Sequence, residues 1–415
     1  MVKRKNRCSF CGRGENEVDM MLTGIEGFIC SDCAQQAYKI VCQTLGVDSD
    51  TLAAQANGSK RKGAPAMKSV PKPQEIKAHL DQYVIGQDEA KRFLSVAVYN
   101  HYKRLQQPES DDGVEIEKSN VVMVGSTGTG KTLLARSIAK LLDVPFTIVD
   151  ATVFTEAGYV GEDVESILTR LLQVADYDLA KAERGIVFID EIDKIARKSD
   201  NPSITRDVSG EGVQQGLLKL LEGTVVNVPP KGGRKHPDQD YIHVDTHNIL
   251  FVCGGAFDGI ERKIAQRLNT HVVGYNSIND QKQIDRNDMM KYIVPQDLKS
   301  FGLIPEIIGR LPVLTFLHPL DREALRRILI EPKNSIVRQY EKLLKMDGIE
   351  LTFDDDALEY IVDKAVEYKL GARGLRSIVE AVMNDAMFEL PSKRQKKFCV
   401  TKDYAEQQLG KANLG

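Results

Sequence analysis

Short apolar runs bounded by turn residues recur through the middle of the chain. They lie at residues 121–124, 145–149, 186–189, 249–252 and 313–317. Between the runs, apolar residues recur every three to four positions, most clearly after Glu162. That spacing predicts a helix whose apolar face comprises Val164, Ile167, Leu168, Leu171, Leu172 and Ala175. Short buried strands that alternate with such helices predict an α/β fold with a parallel sheet.

Residues beyond Pro319 follow helical spacing almost throughout. The clearest apolar stripe consists of Leu375, Ile378, Val379, Val382, Met383 and Met387. We interpret this stripe as the core-facing side of a helix. The sequence therefore predicts a smaller, mainly helical domain at the C-terminal end.

The start of the chain departs from both patterns. From Asp48 to Gln74, Ala, Gly, Ser, Lys and Pro dominate, and almost no side chain could contribute to a core. We therefore expect four parts: an N-terminal module at 1–46, a flexible linker at 47–74, a large domain at 75–319 and a small domain at 320–415.

Four of the seven cysteines form two CxxC pairs. They are Cys8, Cys11, Cys30 and Cys33. The pairs have the spacing of a structural zinc site, in which four thiolates surround Zn²⁺ and leave no open position. Disulfides, a redox pair or an iron–sulfur cluster are the alternatives, and an intracellular chain favours zinc. Cys42, beside Ile40 and Val41, is better explained as a packed thiol.

Composition and charge narrow the class of protein. The 415 residues are 42% apolar and 28% charged, the balance of a soluble globular protein of several domains. A net charge of −3 argues against a generally basic nucleic-acid-binding surface. No apolar run approaches the ~20 residues of a membrane span, and no apolar stretch follows the basic start as in a secretory signal. We therefore expect a cytoplasmic protein without a membrane anchor.

The strongest chemical motif is a glycine-rich loop that follows the first apolar run. It reads Gly125, Ser126, Thr127, Gly128, Thr129, Gly130, Lys131 and Thr132, and Leu133 begins the next helical pattern. Backbone N–H groups in such a loop converge on phosphate oxygens at a helix N-terminus. Lys131 would reach the β- and γ-phosphates and Thr132 would bind Mg²⁺. We predict that this segment binds ATP.

Two adjacent carboxylates end the third apolar run. Asp190 would hold Mg²⁺ through water, and Glu191 would polarise the attacking water as a general base. Acidic pairs at strand ends are common, so this pair indicates a nucleotide site only in combination with the glycine-rich loop upstream. Together the two motifs favour hydrolysis of ATP over transfer of its γ-phosphoryl group to an acceptor molecule.

These motifs resemble those of the ClpX family, AAA+ ATPases that unfold proteins and deliver them to a serine peptidase. The resemblance extends over nearly the whole chain. It implies an AAA+ P-loop domain, a helical small domain, a zinc module that binds substrates or adaptors, a homo-hexamer and a ClpP-like peptidase partner. It further implies that Val84 and Ile85 contact the adenine, that Arg373 is the sensor-2 residue, and that Arg310 reaches a neighbouring subunit's γ-phosphate.

The same resemblance implies loops that contact protein substrates. Gly158, Tyr159, Val160 and Gly161 match a pore loop, and Arg234, Lys235 and His236 match a basic loop at the pore entrance. The glycines would free the backbone, and a tyrosine ring is a sequence-tolerant grip on an extended chain. The alternatives are a Tyr159 that packs on the core and a basic loop that is merely solvated. Residues 196–208 align with a second pore loop.

The chain departs from the family pattern in two places. The run Phe251–Gly255 offers no polar sensor-1 residue. Val273, Gly274 and Tyr275 replace the Ile-Gly-Phe that commonly docks on the peptidase, so this match is looser.

Alternatives from other classes fit parts of the sequence. A DNA-handling AAA+ motor with a zinc ribbon would share the ATP site, but the net charge and the aromatic pore segment argue against it. An HslU-like unfoldase is disfavoured by the four-cysteine module and by the absence of a long inserted domain. A purely structural zinc scaffold would leave Lys131, Asp190 and Glu191 unexplained.

Overall fold

The chain forms two compact units, residues 1–64 and 65–415. The computed structural model describes residues 7–14, 17–18, 20–23, 27–37, 70–107, 114, 116–155, 162–197, 210–229, 241–270, 288–368, 371–393 and 395–411.

The first unit contains a small antiparallel hairpin and a helix. Strand β1 spans Met21–Thr23 and pairs with β2, which spans Phe28–Cys30. Residues 31–37 are helical and form α1. Only one of the six strand residues is buried, so few apolar contacts stabilise this unit apart from its cysteine cluster.

The second unit is built from nine strands and fourteen helices within the described ranges. Its strands are β3 (Val121–Val124), β4 (Phe146–Asp150), β5 (Ile186–Asp190), β6 (Val225–Val228), β7 (Ile242–Asp245), β8 (Leu250–Gly255), β9 (Val313–Phe316), β10 (Glu350–Phe353) and β11 (Lys397–Val400). The helices up to the end of the sheet are α2 (Pro73–Asp81), α3 (Asp88–Gln106), α4 (Lys131–Leu142), α5 (Ser166–Val174), α6 (Leu179–Ala182), α7 (Glu211–Glu222), α8 (Ile260–Thr270), α9 (Pro295–Phe301) and α10 (Pro305–Gly309). The later helices are α11 (Arg322–Ile330), α12 (Ile336–Met346), α13 (Asp355–Glu367), α14 (Gly371–Glu389) and α15 (Lys402–Lys411).

A parallel five-stranded sheet organises the large part of this unit. The strand order is β4-β5-β8-β3-β9, and every pairing is parallel. All five strands coincide with the apolar runs of the sequence, so the predicted parallel α/β layer is confirmed. The central strands read as continuous apolar runs because helices cover both faces of the sheet.

Alternate residues of β3 demonstrate this two-sided burial. Val122 and Val124 pack into one apolar cluster with α5, α7 and α8. Val121 and Met123 pack into the other cluster with α2, α3 and α4. Since strand side chains alternate between faces, one strand contributes to both cores.

The C-terminal helices enclose a third apolar cluster. In α14, Leu375, Ile378, Val379, Val382 and Met383 are fully buried, as the helical stripe predicted. The parallel pair formed by β10 and β11 was not predicted. Each of these strands has only four residues, of which one is buried, so neither forms a continuous buried run that the sequence pattern could reveal.

One boundary differs from the prediction made from the sequence. Helix α2 begins at Pro73, inside the segment expected to be linker, because proline fits the first helical turn without losing a hydrogen bond.

Among the residues that the structure describes, no helix combines the length and the apolar character that a membrane span requires.

Candidate functional site

The glycine-rich loop connects the carboxyl end of β3 to the N-terminus of α4. Gly128 and Gly130 have φ angles of 84° and 104°, a region that side chains with a Cβ rarely adopt. The hydroxyl of Thr129 donates to the Ser126 carbonyl at 2.8 Å and closes the loop. The loop therefore directs its backbone toward the amino end of α4, the arrangement that binds phosphate groups.

Lys131 is the first residue of α4 and its ammonium lies inside the loop. Its Nζ donates to the carbonyl oxygens of Gly125 at 2.5 Å and Ser126 at 3.0 Å. Burial lowers the pKa of Lys131, and the nearby carboxylates of Asp190 and Asp193 oppose that effect. The structure therefore supplies a cation at the position where a triphosphate would need one.

Oxygen ligands suited to Mg²⁺ lie beside this cation. The Thr132 hydroxyl donates to Oδ2 of Asp190 at 3.2 Å, so the ends of α4 and β5 meet. Carboxylate and hydroxyl oxygens, completed by water and phosphate oxygens, are the ligand set that Mg²⁺ uses in nucleotide sites. Thr132 and Asp190 thus fit the ion that the sequence predicted.

Glu191 follows Asp190 in a left-handed backbone conformation. Its φ is 56°, and its backbone N–H donates to Oδ1 of Asp190 at 3.0 Å. Non-glycine residues rarely adopt this conformation, which is concentrated at functional sites. Glu191 is exposed at this turn and lines the cavity beside Lys131.

A cavity of about 560 Å³ brings these residues together. The sequence-predicted residues that line it are Thr127, Gly128, Gly130, Lys131, Thr132, Leu133, Asp190, Glu191 and Arg373. Its volume lies within the range of roughly 300–1,000 Å³ that is usual for small-molecule sites. Gly125, Ser126 and Thr129 do not line it and shape the loop instead.

Several lining residues were given no role of their own in the sequence analysis. They include Tyr83, Asp193, Lys194, Asp258, Asn334 and Arg376. Asp193 carried a signal, since it follows the Asp190–Glu191 pair within the same turn. Its side chain is buried and accepts the Ala256 N–H at 3.1 Å, while Lys194 pairs with it at 3.2 Å.

The segment expected to contact adenine lies behind the loop. Val84 and Ile85 are 5% and 7% exposed, and neither lines the cavity, which Tyr83 does. A Cβ on Gly130 would lie 3.8 Å from Val84 Cγ1, so Val84 packs against the loop. Gln87 fixes the segment to the end of β9 through two 2.8 Å hydrogen bonds with the His318 backbone.

The C-terminal helices complete the cavity from the other side. A Cβ on Gly128 would lie 3.5 Å from the Ala372 nitrogen, so the positive end of α14 faces the loop. Arg373 is exposed on the first turn of α14 and lines the cavity. The site is therefore shared between the sheet and the helical part.

Arg310 lies at the other end of the sheet. Its carbonyl accepts the Asn120 side-chain amide at 3.0 Å, and Asn120 immediately precedes β3, whereas the glycine-rich loop immediately follows it. The four residues of β3 put about 10 Å between these two ends. Arg310 is not among the residues that line the cavity of its own chain.

The loops expected to contact substrate lie outside the described residues. These comprise Gly158, Tyr159, Val160 and Gly161, then Arg234, Lys235 and His236, together with residues 198–208 of the second pore loop. Val273, Gly274 and Tyr275, expected to dock on the peptidase, and Cys42, expected to be a packed thiol, also lie outside the described residues. The ends of the first loop are joined, since Thr155 N–H donates to the Glu162 carbonyl at 3.2 Å. The basic loop that contains Arg234, Lys235 and His236 follows β6 and precedes β7, and these two strands pair in antiparallel orientation.

The four predicted cysteine ligands cluster in the first unit. All four Sγ atoms lie within 4.8 Å of one another, and those of Cys11 and Cys30 are 3.6 Å apart. Zn–S bonds of about 2.3 Å in a tetrahedron give sulfur separations of about 3.8 Å. Burial raises the pKa of the Cys8 thiol, but backbone hydrogen bonds from residues including Cys11 and Cys30 outweigh it and lower the pKa to about 6. The cluster fits zinc.

Comparisons with known proteins agree with this architecture. Residues 116–314 match the AAA domain (Cdc48 subfamily), residues 320–401 match the C-terminal D2-small domain of ClpB protein, and residues 6–43 match the ClpX C4-type zinc finger. Fold, phosphate loop and acidic strand end together define the chain as an AAA+ ATPase that carries a zinc finger.

Relatives of known name narrow the class further. Proteins named ATP-dependent Clp protease ATP-binding subunit ClpX match at 73% identity over 414 residues in Bacteroides thetaiotaomicron, 73% over 410 in Bacteroides fragilis and 67% over 411 in Porphyromonas gingivalis. Each alignment covers 99% of this chain, and 97–98% of each relative. The chain belongs to the ClpX family. It is an ATP hydrolase that uses Mg²⁺ and contains zinc, as the sequence predicted.

Proposed function

We propose that this chain unfolds proteins with the energy of ATP hydrolysis and passes them to a ClpP-like serine peptidase. The observation that carries the proposal is the cavity that Lys131, Asp190 and Glu191 share with Arg373 of the helical part. Because both parts contact one site, a change from ATP to ADP would alter how they are held together. The chain would have no peptidase activity of its own.

Each residue of the site has a distinct task in hydrolysis. The backbone of residues 125–130 and Leu133 binds the triphosphate, and the Lys131 ammonium exchanges its carbonyl partners for β- and γ-phosphate oxygens. Thr132 and Asp190 would hold Mg²⁺, which would supply positive charge to the phosphates. The Glu191 carboxylate accepts a proton from the attacking water.

Arg310 acts on the site of a neighbouring copy. Its position at the amino end of β3, away from its own cavity, supports a role between subunits. An arginine supplied in this way stabilises the charge of the transition state. This role requires an assembly, and we propose the homo-hexameric ring implied by the resemblance.

The remaining loops handle the substrate. Tyr159 and Val160 grip the chain in the pore, Arg234, Lys235 and His236 attract its anionic end at the entrance, and Val273, Gly274 and Tyr275 dock on the peptidase. The joined ends at Thr155 and Glu162 support the first role, since they would transmit motion of the sheet to that loop. Val84 and Ile85, in the segment that begins at Tyr83, contact the adenine base, and the place of Tyr83 in the lining of the cavity supports this role.

The domain organisation follows from the same proposal. Residues 1–46 form a zinc module that recruits substrates or adaptors, and 47–74 link it to the motor. Residues 75–319 and 320–415 form the large and small AAA+ domains. We propose a cytoplasmic location.

Degradation of a folded, tagged protein tests the proposal. The folded protein should be degraded only when ATP, this chain and a ClpP-like peptidase are all present, and without the peptidase it should be unfolded but not cleaved. Tyr159→Ala should keep most ATPase activity and lose most of the unfolding. Undiminished unfolding by Tyr159→Ala would refute the assigned grip.

A second assay separates the nucleic-acid alternative. ATPase activity should rise on addition of an unfolded protein and remain unchanged with single- or double-stranded DNA. Stimulation by DNA alone would favour the DNA-handling motor instead.

A further inference from the structure

The Arg310 guanidinium has one ionic partner in the described part of the chain. Both its Nε and its Nη2 donate to the same carboxylate oxygen, Oε1 of Glu222, at 3.3 Å and 3.2 Å. This contact joins residues 88 apart in the sequence. The Nη1 edge of the guanidinium and the second oxygen of Glu222 have no partner among the described residues.

The backbones that carry these two side chains are joined by one buried amide. Asn120 is 1% exposed, and its Nδ2 donates to the carbonyls of Leu221 at 3.3 Å and Arg310 at 3.0 Å. Its Oδ1 accepts the Phe251 N–H at 3.2 Å, which fixes the amide to β8. The end of α7 and the end of α10 therefore meet at a fixed point beside the first residue of β3.

The ion pair between Arg310 and Glu222 is weak, which suits an arginine that must also bind a phosphate. The Arg310 and Glu222 side chains are 51% and 40% exposed, so water screens their attraction. An arginine side chain is flexible, and a partner that holds one edge reduces the number of conformations in which the free edge points elsewhere. A weak, one-sided contact orients the guanidinium without competing strongly against a phosphate.

We propose that Glu222 is a positioning residue for hydrolysis: it holds the Nε/Nη2 edge of Arg310 so that the opposite edge faces the nucleotide of the neighbouring copy. The proposal rests on the trans role of Arg310 proposed above. Glu222 acts through Arg310 and does not touch the nucleotide. Its removal therefore lowers the population of correctly oriented arginine and leaves ATP binding unchanged.

Steady-state ATPase kinetics of the full-length assembly test this inference. Glu222→Ala should lower kcat about fivefold, the factor expected when an exposed ion pair is lost, and leave the KM for ATP unchanged. Glu222→Gln keeps an acceptor oxygen and should lie between the wild type and Glu222→Ala. Asp385→Ala, which removes a similarly exposed pair with Lys411, is the matched control and should keep wild-type kinetics.

A double-mutant comparison separates positioning from other effects. If Glu222 acts only through Arg310, the Glu222→Ala/Arg310→Ala double variant should have the kcat of Arg310→Ala alone. Additive losses, a raised KM, an unchanged kcat or an increased kcat in Glu222→Ala would each overturn the inference. An increase would identify the pair as an inhibitory contact.

The same set of variants tests the proposed function separately. If Arg310→Ala retains the wild-type kcat in an intact assembly, the finger assignment fails and Glu222 has no partner to position. If Arg310→Ala is impaired while Glu222→Ala is normal, only the inference about Glu222 fails.

Discussion

The hydroxyl of Thr132 donates a hydrogen bond of 3.2 Å to Oδ2 of Asp190, although 58 positions separate the two residues in sequence. One belongs to the helix after the glycine-rich loop and the other ends β5. The contact is possible because parallel strands present their carboxyl ends at the same edge of the sheet. It puts the two candidate Mg²⁺ ligands side by side, with Glu191 next in the chain.

Glu191→Gln should separate ATP binding from ATP hydrolysis. The amide keeps the shape of the side chain but cannot accept a proton from water, so turnover should fall by about 10²-fold or more. Thr132 and Asp190 are untouched, so nucleotide affinity should stay close to that of the wild type. Equilibrium binding of a fluorescent nucleotide and phosphate release measure the two quantities. Normal hydrolysis by this variant would show that Glu191 is not the base.

Gly254→Ala, on strand β8, should lower stability and disturb the position of Asp190 on the neighbouring strand β5. An added Cβ would lie 2.7 Å from Cζ of Phe188 and 3.5 Å from Oδ1 of Asp190. Since β8 is completely buried there, Phe188 has to shift, at a cost of about 1–3 kcal/mol. Thermal unfolding should show a lower Tm, and Mg²⁺-dependent ATP binding should weaken. Unchanged stability and binding would show that the contact relaxes freely.

Removal of zinc should affect the first unit alone. A strong chelator, or Cys11→Ser, should release the metal and abolish the fold of residues 7–37, because the short hairpin buries little apolar surface. Metal content and limited proteolysis report the loss. ATP binding by residues 65–415, a separate compact unit, should persist. Loss of ATP binding on chelation would contradict this independence.

Lys118 should make stability depend on pH. Burial, together with the nearby charge of Arg104 and against the opposing charge of Asp245, lowers the pKa of Lys118 to about 7. Because this pKa is far below the unfolded value of 10.5, the unfolded chain binds more protons between these limits, and stability rises with pH. Lys118→Met should lose part of that rise between pH 7 and 9, measured by denaturant unfolding. Equal slopes for both proteins would show that Lys118 titrates normally.

Sequence patterns identified the sheet and the phosphate loop because each is local. Val121–Val124 is a continuous apolar run, and the loop that follows it is a single uninterrupted motif. Contacts between distant segments were not accessible in the same way. Nothing near Arg310 in the sequence indicates Glu222, and nothing near Tyr83 indicates that it, rather than Val84, faces the cavity.

Mixed assemblies test most directly whether hydrolysis takes place between neighbouring copies. Arg310→Ala and Lys131→Ala should each be nearly inactive alone, since one lacks the finger and the other lacks the phosphate-binding cation. After the two are combined, an Arg310→Ala subunit has an intact ATP site that a Lys131→Ala neighbour can complete with its own Arg310. The account predicts an ATPase rate well above the sum of the separate rates. A rate equal to that sum would contradict it.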